Sequence, residues 1–424
     1  MNFYSQIELV PPDDDGSPVT ISIPGSKSIT NRALILAAIS KGQTTLHGAL
    51  WSEDTQIMVE ALRKLGFSIE VEKDFYEPCN RIITITGLGG EIPNKGSQSD
   101  PLEIYVGNAG TAARFLVAFL CTGQGVYHVS GVDRMHKRPQ KSLFKSLKEL
   151  GYKIESNGNF LPATIYGGGR KKGDVSVSID ESSQFASALL LVAKVGDWNV
   201  SIEKEDGDNM PYVEMTKKMI SGFPIMGGDY KIEPDSSSAS YFWAAAHILG
   251  IPINITNWPS TTWQIDTSFP NYLPIPSELS REIHLGDSIL TAIAIAPLSE
   301  NPCTFNDLGR LRVQECERVI AMRTELSKLG ANIKETGDSL FVEPSLESLN
   351  GAEIDTYDDH RIAMSLSLIG IKVRGVRIND PGCVKKTFPN FFSKWTAPKP
   401  NGLGFSIIDT KTKNLIPSKD LIVG

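Results

Sequence analysis

Six stretches of this 424-residue chain begin with small polar residues and run on into almost wholly apolar segments. They read "SKSITNRALILAAI", "GNAGTAARFLVAFL", "ESSQFASALLLVA", "DSSSASYFWAAAHIL", "GDSILTAIAIA" and "YDDHRIAMSLSLIG". Ser, Thr, Asp and Asn are ordinary helix N-caps, so any one start reads most simply as a cap. Lys27, Arg32, Arg114 and Arg361 resist that reading, because they are expected in first turns, where a cation opposes the helix dipole. An anion held between exposed N–H groups and flanking Lys or Arg would account for them.

The elements that position these residues repeat along the chain. A helix with one apolar face and a closing Leu-Gly is followed by a strand three times: "SEDTQIMVEALRKLG" then "FSIEVE", "KSLFKSLKELG" then "YKIE", and "CERVIAMRTELSKLG" then "ANIK". Apolar residues at i, i+3 and i+4 set the buried face, and the glycine supplies the C-cap. The stretches 199–223 and 375–395 are looser copies. The six apolar helices lie between these units and, apolar all round, are expected to be buried. Six units predict two domains of three, as the length also does. The fourth unit is shortened, because Pro252, Pro259, Pro270, Pro274 and Pro276 leave little room for a second helix.

Composition narrows the function. A net charge of −7 argues against non-specific nucleic-acid binding, and no apolar run is long enough to span a bilayer. The first 24 residues carry Asp13-Asp14-Asp15 and lack the order of a signal peptide. Five cysteines without paired spacing fit reduced thiols, and six histidines without ligand spacing predict no structural metal. The glycine-rich stretches 87–93 and 166–174 lead into no helix and read as turns.

At "PGSKSITNR", "GNAGTAAR", "DRMHKRP", "SSQF", "ASYF", "DDHR" and "KKTFPNFF", the chain resembles the EPSP synthase family of enolpyruvyl transferases. The ordered set runs from about Ile21 to Trp395. The resemblance implies an α/β (α+β) fold of two inside-out barrel-like domains, each of three βαβαββ-type repeats. The first domain would take residues 25–234 and the second 1–24 with 235–424, hinged near 24–26 and 233–236. It also implies transfer of the enolpyruvyl group of phosphoenolpyruvate to a hydroxyl of shikimate 3-phosphate, by way of a tetrahedral adduct and with domain closure. Expected partners are those two small molecules, acting on a cytoplasmic monomer without nucleic acid, membrane, metal or organic cofactor.

Site residues follow from the matching motifs. The resemblance places Lys27, Ser28, Arg32, Ser182, Ser183, Gln184, Asn209, Tyr212, Asp287, Arg310 and Gln314 around the acceptor. It places Lys27, Asn108, Gly110, Arg134, Gln184, Arg318, Arg361 and Lys386 around phosphoenolpyruvate. Asp287 is the expected proton acceptor, with Glu315 and Lys27 assisting. By residue type alone, Asp287 is equally a plain cap and Glu315 a surface acid. Gly110, having no side chain, predicts sensitivity to glyphosate, although Phe115 stands where many relatives carry Pro.

Three positions depart from the pattern. Arg310 stands for the usual Asn, Gln314 for the acceptor-binding Lys, and Asn209 for a Ser. Two readings stay open. A cation has moved four residues to Arg310, about one helical turn, or the pocket serves another alcohol. A ligand-binding pseudoenzyme is the non-enzymatic alternative. The stretch "GVDRMHKRP" has no cysteine, so a UDP-sugar acceptor is not expected.

Overall fold

The computed structural model describes residues 4–12, 16–203, 210–260 and 262–423. Asn209 and the acidic run at 13–15 lie outside the described residues. Internal packing divides the chain into two units, Gly25–Glu233 and Met1–Pro24 with Pro234–Gly424.

In the unit 25–233, the helices Lys27–Ile39, Gly110–Cys121 and Ser183–Gly196 pack on one another. Every residue of Gly110–Cys121 is buried. These are three of the helices expected from apolar patterning, and burial on all sides is what that composition demands. Around them lie two four-stranded sheets and one parallel pair. One sheet sets Leu102–Tyr105 parallel to Val126–Ser130, then adds Ala163–Tyr166 and Lys153–Ser156 antiparallel. The other repeats the same pattern with Gly228–Lys231, Lys41–Leu50, Asn80–Leu88 and Ile69–Lys73. Amphipathic helices Glu53–Lys64 and Lys141–Glu149 bury Met58, Val59 and Leu62, and Leu143, Phe144 and Leu147.

The other unit repeats this plan. Ile289–Ile295 touches both Ser236–Leu249 and His360–Ser367, all three strongly buried. One sheet runs Glu278–Ser280, Cys303–Asn306, Ser339–Val342 and Ile333–Thr336, again parallel once and then antiparallel twice. The second takes Gln6–Val10 from the N-terminus, and Ser406–Asp409 of the tail adds its edge strand. Among the described residues, the shortened fourth unit keeps a three-residue parallel pair, Val19–Ile21 with Ile253–Ile255. A 3₁₀ helix, Ile265–Tyr272, stands where a full amphipathic helix would be. Pro270 lies inside it, as expected of a segment unable to sustain the α-helical ladder.

Candidate functional site

In the unit 25–233, Lys27 opens its helix and places Nζ 3.1 Å from Asp54 Oδ2. Arg32 and Arg114 were expected in first turns, but they lie one turn further in. That position turns their guanidinium groups sideways toward neighbouring helices. Arg32 donates from Nε to Thr216 Oγ1 (2.7 Å), and from its terminal nitrogens to Ser28 O (2.9 Å) and Ser187 Oγ (3.0 Å). Its guanidinium also sits over the Phe115 ring. Burial pulls its pKa down to about 10, with Tyr212 working in the opposite direction.

Gly110 is the centre of a second cluster. A Cβ built there would lie 2.5 Å from guanidinium nitrogens of both Arg114 and Arg138, so only hydrogen fits beside them as they stand. Arg114 donates to Gln184 Oε1 (2.9 Å) and Pro139 O (3.1 Å), and Gln184 Nε2 donates to Thr111 Oγ1 (3.2 Å). Arg138 donates to Asn108 O (3.0 Å). Ser182 caps its helix by accepting from Gln184 N, and Ser183 behind it is buried. Asn108, Gly110 and Gln184 are thus brought together with Arg114 and Arg138. Arg134 heads the 3₁₀ helix Met135–Lys137 and is half-buried, whereas Arg138, four residues on, is buried against Asn108 and Gly110. Tyr212 lies half-buried on the helix Met210–Gly222, where its carbonyl accepts from Thr216 Oγ1.

In the unit that contains 234–424, the centre is Asp287. Ser288 occupies the cap of the helix Ile289–Ile295, and the Asp287 carboxylate faces arginines instead. Arg361 lies 3.1 Å from Oδ2, and Arg281 and Arg318 lie 3.5 and 4.0 Å from Oδ1. Burial by itself would raise the Asp287 pKa. Arg361, Arg318 and Arg281 together outweigh it and hold the carboxyl well below the usual range.

Arg318 is 1% exposed and is tied to three carboxylates. Nε and one terminal nitrogen reach Asp359 (2.7 and 3.1 Å), and the same terminal nitrogen lies 2.8 Å from Glu315 Oε2. Glu315 is therefore a largely buried acid inside an ion network. Asp359 caps the helix His360–Ser367 by accepting from Arg361 N (2.9 Å), so one carboxylate fixes both arginines. Lys386 is buried at the end of the 3₁₀ helix Pro381–Lys386.

Two of the three departures, Arg310 and Gln314, lie in this unit. Gln314 accepts from Arg318 through its side-chain oxygen. Arg310 is half-buried in the 3₁₀ helix Gly309–Val313. A 3₁₀ helix has three residues per turn, so residues four apart do not share a face there, and Gln314 lies beyond its end. The simple one-turn exchange of cations does not describe this segment.

Arg138, Arg281 and Asp266 stand in the two clusters without having been singled out in the sequence. Asp266, 1% exposed, reaches the turn that carries Asp287. Burial raises its pKa; the Ser237 hydrogen bond lowers it, and the Asp287 charge adds to the rise. Among the described residues, no group of three or more His, Cys, Asp or Glu could hold a metal ion, and no helix is long and apolar enough to cross a membrane.

The chain matches the family described as EPSP synthase (3-phosphoshikimate 1-carboxyvinyltransferase) over residues 17–228, 220–283 and 274–395. A 3-phosphoshikimate 1-carboxyvinyltransferase of Trichormus variabilis is 35% identical over 417 residues, covering 89% of this chain and 95% of the relative. One from Vibrio atlanticus is 36% identical over 419 residues, covering 88% and 95%. An EPSP synthase structure from Acinetobacter baumannii superposes with a TM-score of 0.71 at 22% identity, covering 95% of this chain and 99% of its own. That last likeness is one of fold.

Proposed function

Because this chain belongs to the EPSP synthase family, we propose that it transfers the enolpyruvyl group of phosphoenolpyruvate to the 5-hydroxyl of shikimate 3-phosphate. The products are 5-enolpyruvylshikimate 3-phosphate and inorganic phosphate. The observation that carries the chemistry is Asp287, an acidic side chain faced by Arg281, Arg318 and Arg361.

The acceptor oxygen bonds to C2 of phosphoenolpyruvate and loses its proton, while C3 gains one. The resulting tetrahedral adduct then loses a proton from C3 and expels phosphate. Asp287 takes the hydroxyl proton. Faced by three arginines, it is a weak base. Substrate anions that share those arginines weaken their pull on Asp287 and raise its pKa toward a working range. Glu315, on Arg318, is the second group placed to exchange a proton. Lys27, Asn108, Gly110, Arg134 and Gln184 are the phosphoenolpyruvate-binding candidates of the unit 25–233, and Arg318, Arg361 and Lys386 are those of the unit that contains 234–424. Ser28, Ser182, Ser183, Tyr212 and Arg310 belong to the acceptor's surroundings. The enzyme works as a cytoplasmic monomer.

A second reading, an enolpyruvyl transferase for a different alcohol, is favoured by one contact. Gln314 bonds Arg318 and offers no cation where the family has Lys. Phosphate release from phosphoenolpyruvate, measured with shikimate 3-phosphate, with shikimate and with no acceptor, separates the two. Turnover with the phosphorylated acceptor alone is expected. Phosphoenolpyruvate binding without turnover on it would favour the second reading.

A further inference from the structure

Asp266 lies in the proline-rich stretch 250–277 of the fourth unit, which carries none of the motifs, yet its carboxylate accepts four hydrogen bonds. Oδ1 accepts from Gly286 N (2.7 Å), Ser288 N (3.3 Å) and Ser288 Oγ (2.7 Å). Oδ2 accepts from Ser237 Oγ, in the first turn of Ser236–Leu249. The two backbone N–H groups belong to the residues on either side of Asp287. Two residues before Asp266, Gln264 accepts from Ser236 N (3.1 Å) and donates to Pro234 O (2.8 Å). The short segment 264–266 therefore grips residues 234–237 and the turn 286–288 together.

We propose that Asp266 is a positioning residue, whose carboxylate sets the backbone on both sides of Asp287 and so aims that side chain at Arg281, Arg318 and Arg361. A buried carboxylate costs several kcal/mol unless its oxygens are bonded. Here the compensation comes from donors that also fix the reactive turn, so removing the Asp266 side-chain acceptors frees it. Asparagine keeps Oδ1 on the Gly286 and Ser288 donors and turns Nδ2 to the Ser237 hydroxyl, which can accept, so it is a conservative replacement, whereas alanine removes all of these acceptors. This explains why the fourth unit, stripped of its amphipathic helix, retains the 3₁₀ helix Ile265–Tyr272.

The proposal rests on the enolpyruvyl transfer reading, and its test has an arm independent of turnover. Asp266→Ala is expected to lower kcat roughly 10- to 100-fold, because small displacements of a reacting group carry penalties of that order, while Asp266→Asn keeps most of the activity. KM for both substrates stays within about threefold, since the anion-binding side chains are untouched. In the Asp287→Asn background Asp266→Ala should add no further loss, because there is no longer a carboxylate to aim. Ser288→Ala, which removes one of the four bonds and keeps the buried charge satisfied, serves if Asp266→Ala does not fold, with about a three- to tenfold kcat loss.

Losses that multiply with Asp287→Asn, or a raised KM at constant kcat, would overturn the proposal. If the unaltered enzyme makes no product from either acceptor, the functional reading fails by itself. Ligand-free crystal structures of the unaltered protein and Ser288→Ala then decide the positioning role. A rotated Asp287 carboxylate supports it, and an unchanged 286–288 turn overturns it.

Discussion

In residues 25–233, Arg32 is held by two hydroxyls and a carbonyl, and Arg114 and Arg138 by amide and carbonyl oxygens. In the unit containing 234–424, Arg318 faces Asp359, Glu315 and Asp287, and Arg361 faces Asp287. Neutral oxygens fix a guanidinium without cancelling its charge, so Arg32 keeps its full attraction for an anion. Carboxylates fix it and neutralise it, so the second cluster retains acids whose protonation can change. On the proposed reading, the acids that exchange protons, Asp287 and Glu315, lie in the unit containing 234–424, beside the anion-binding candidates Arg318 and Arg361.

The most damaging test replaces Arg318 and Arg32, each at most 2% exposed, by Met in turn. Arg318→Met strands Asp359 and Glu315 and is expected to cost about 3–5 kcal/mol in urea unfolding, with turnover abolished. Arg32→Met leaves Thr216 and Ser187, which already bond each other at 2.9 Å, and should cost about 1–2 kcal/mol. Equal losses would break the contrast between the units.

A smaller effect is expected at Gly110. The new methyl group of Gly110→Ala meets the Arg114 and Arg138 guanidinium groups, which must move. KM for phosphoenolpyruvate should rise about tenfold, or 1.4 kcal/mol, with kcat within about threefold. An unchanged KM would detach this cluster from phosphoenolpyruvate.

The smallest effect concerns pH and stability. Asp287 has a folded pKa below its ordinary 3.8, so its ionised form stabilises the fold above that value. The contribution is lost as pH falls through the folded pKa. The melting temperature of the unaltered protein should exceed that of Asp287→Asn by a constant few degrees down to about pH 4, with the gap closing below. A gap that closes near neutrality would contradict the arginine-held carboxylate.

Much of this was legible in the sequence for physical reasons. Helices such as 110–121 are apolar all round and can only be buried, and the prolines after 250 exclude a full helix. The ordered motifs brought out Asp287, Gly110, Gln184, Arg318 and Arg361. What stayed hidden depends on the path of the backbone. Arg134 and Arg138 are alike in type within "DRMHKRP", and the 3₁₀ helix between them decides that Arg138 is buried beside Gly110. Asp266 lies twenty residues from the turn it grips, in a stretch without periodicity. The relation of Arg310 to Gln314 depended on helix type, and a 3₁₀ helix breaks the expected spacing.

The most direct measurement compares substrate binding and turnover in Asp287→Asn. Calorimetric affinities for phosphoenolpyruvate and shikimate 3-phosphate should stay within about threefold, while single-turnover rates fall at least about 100-fold, as for loss of a general base. Near-normal turnover would remove Asp287 from the mechanism, and with it the assignment of proton transfer to the 234–424 unit.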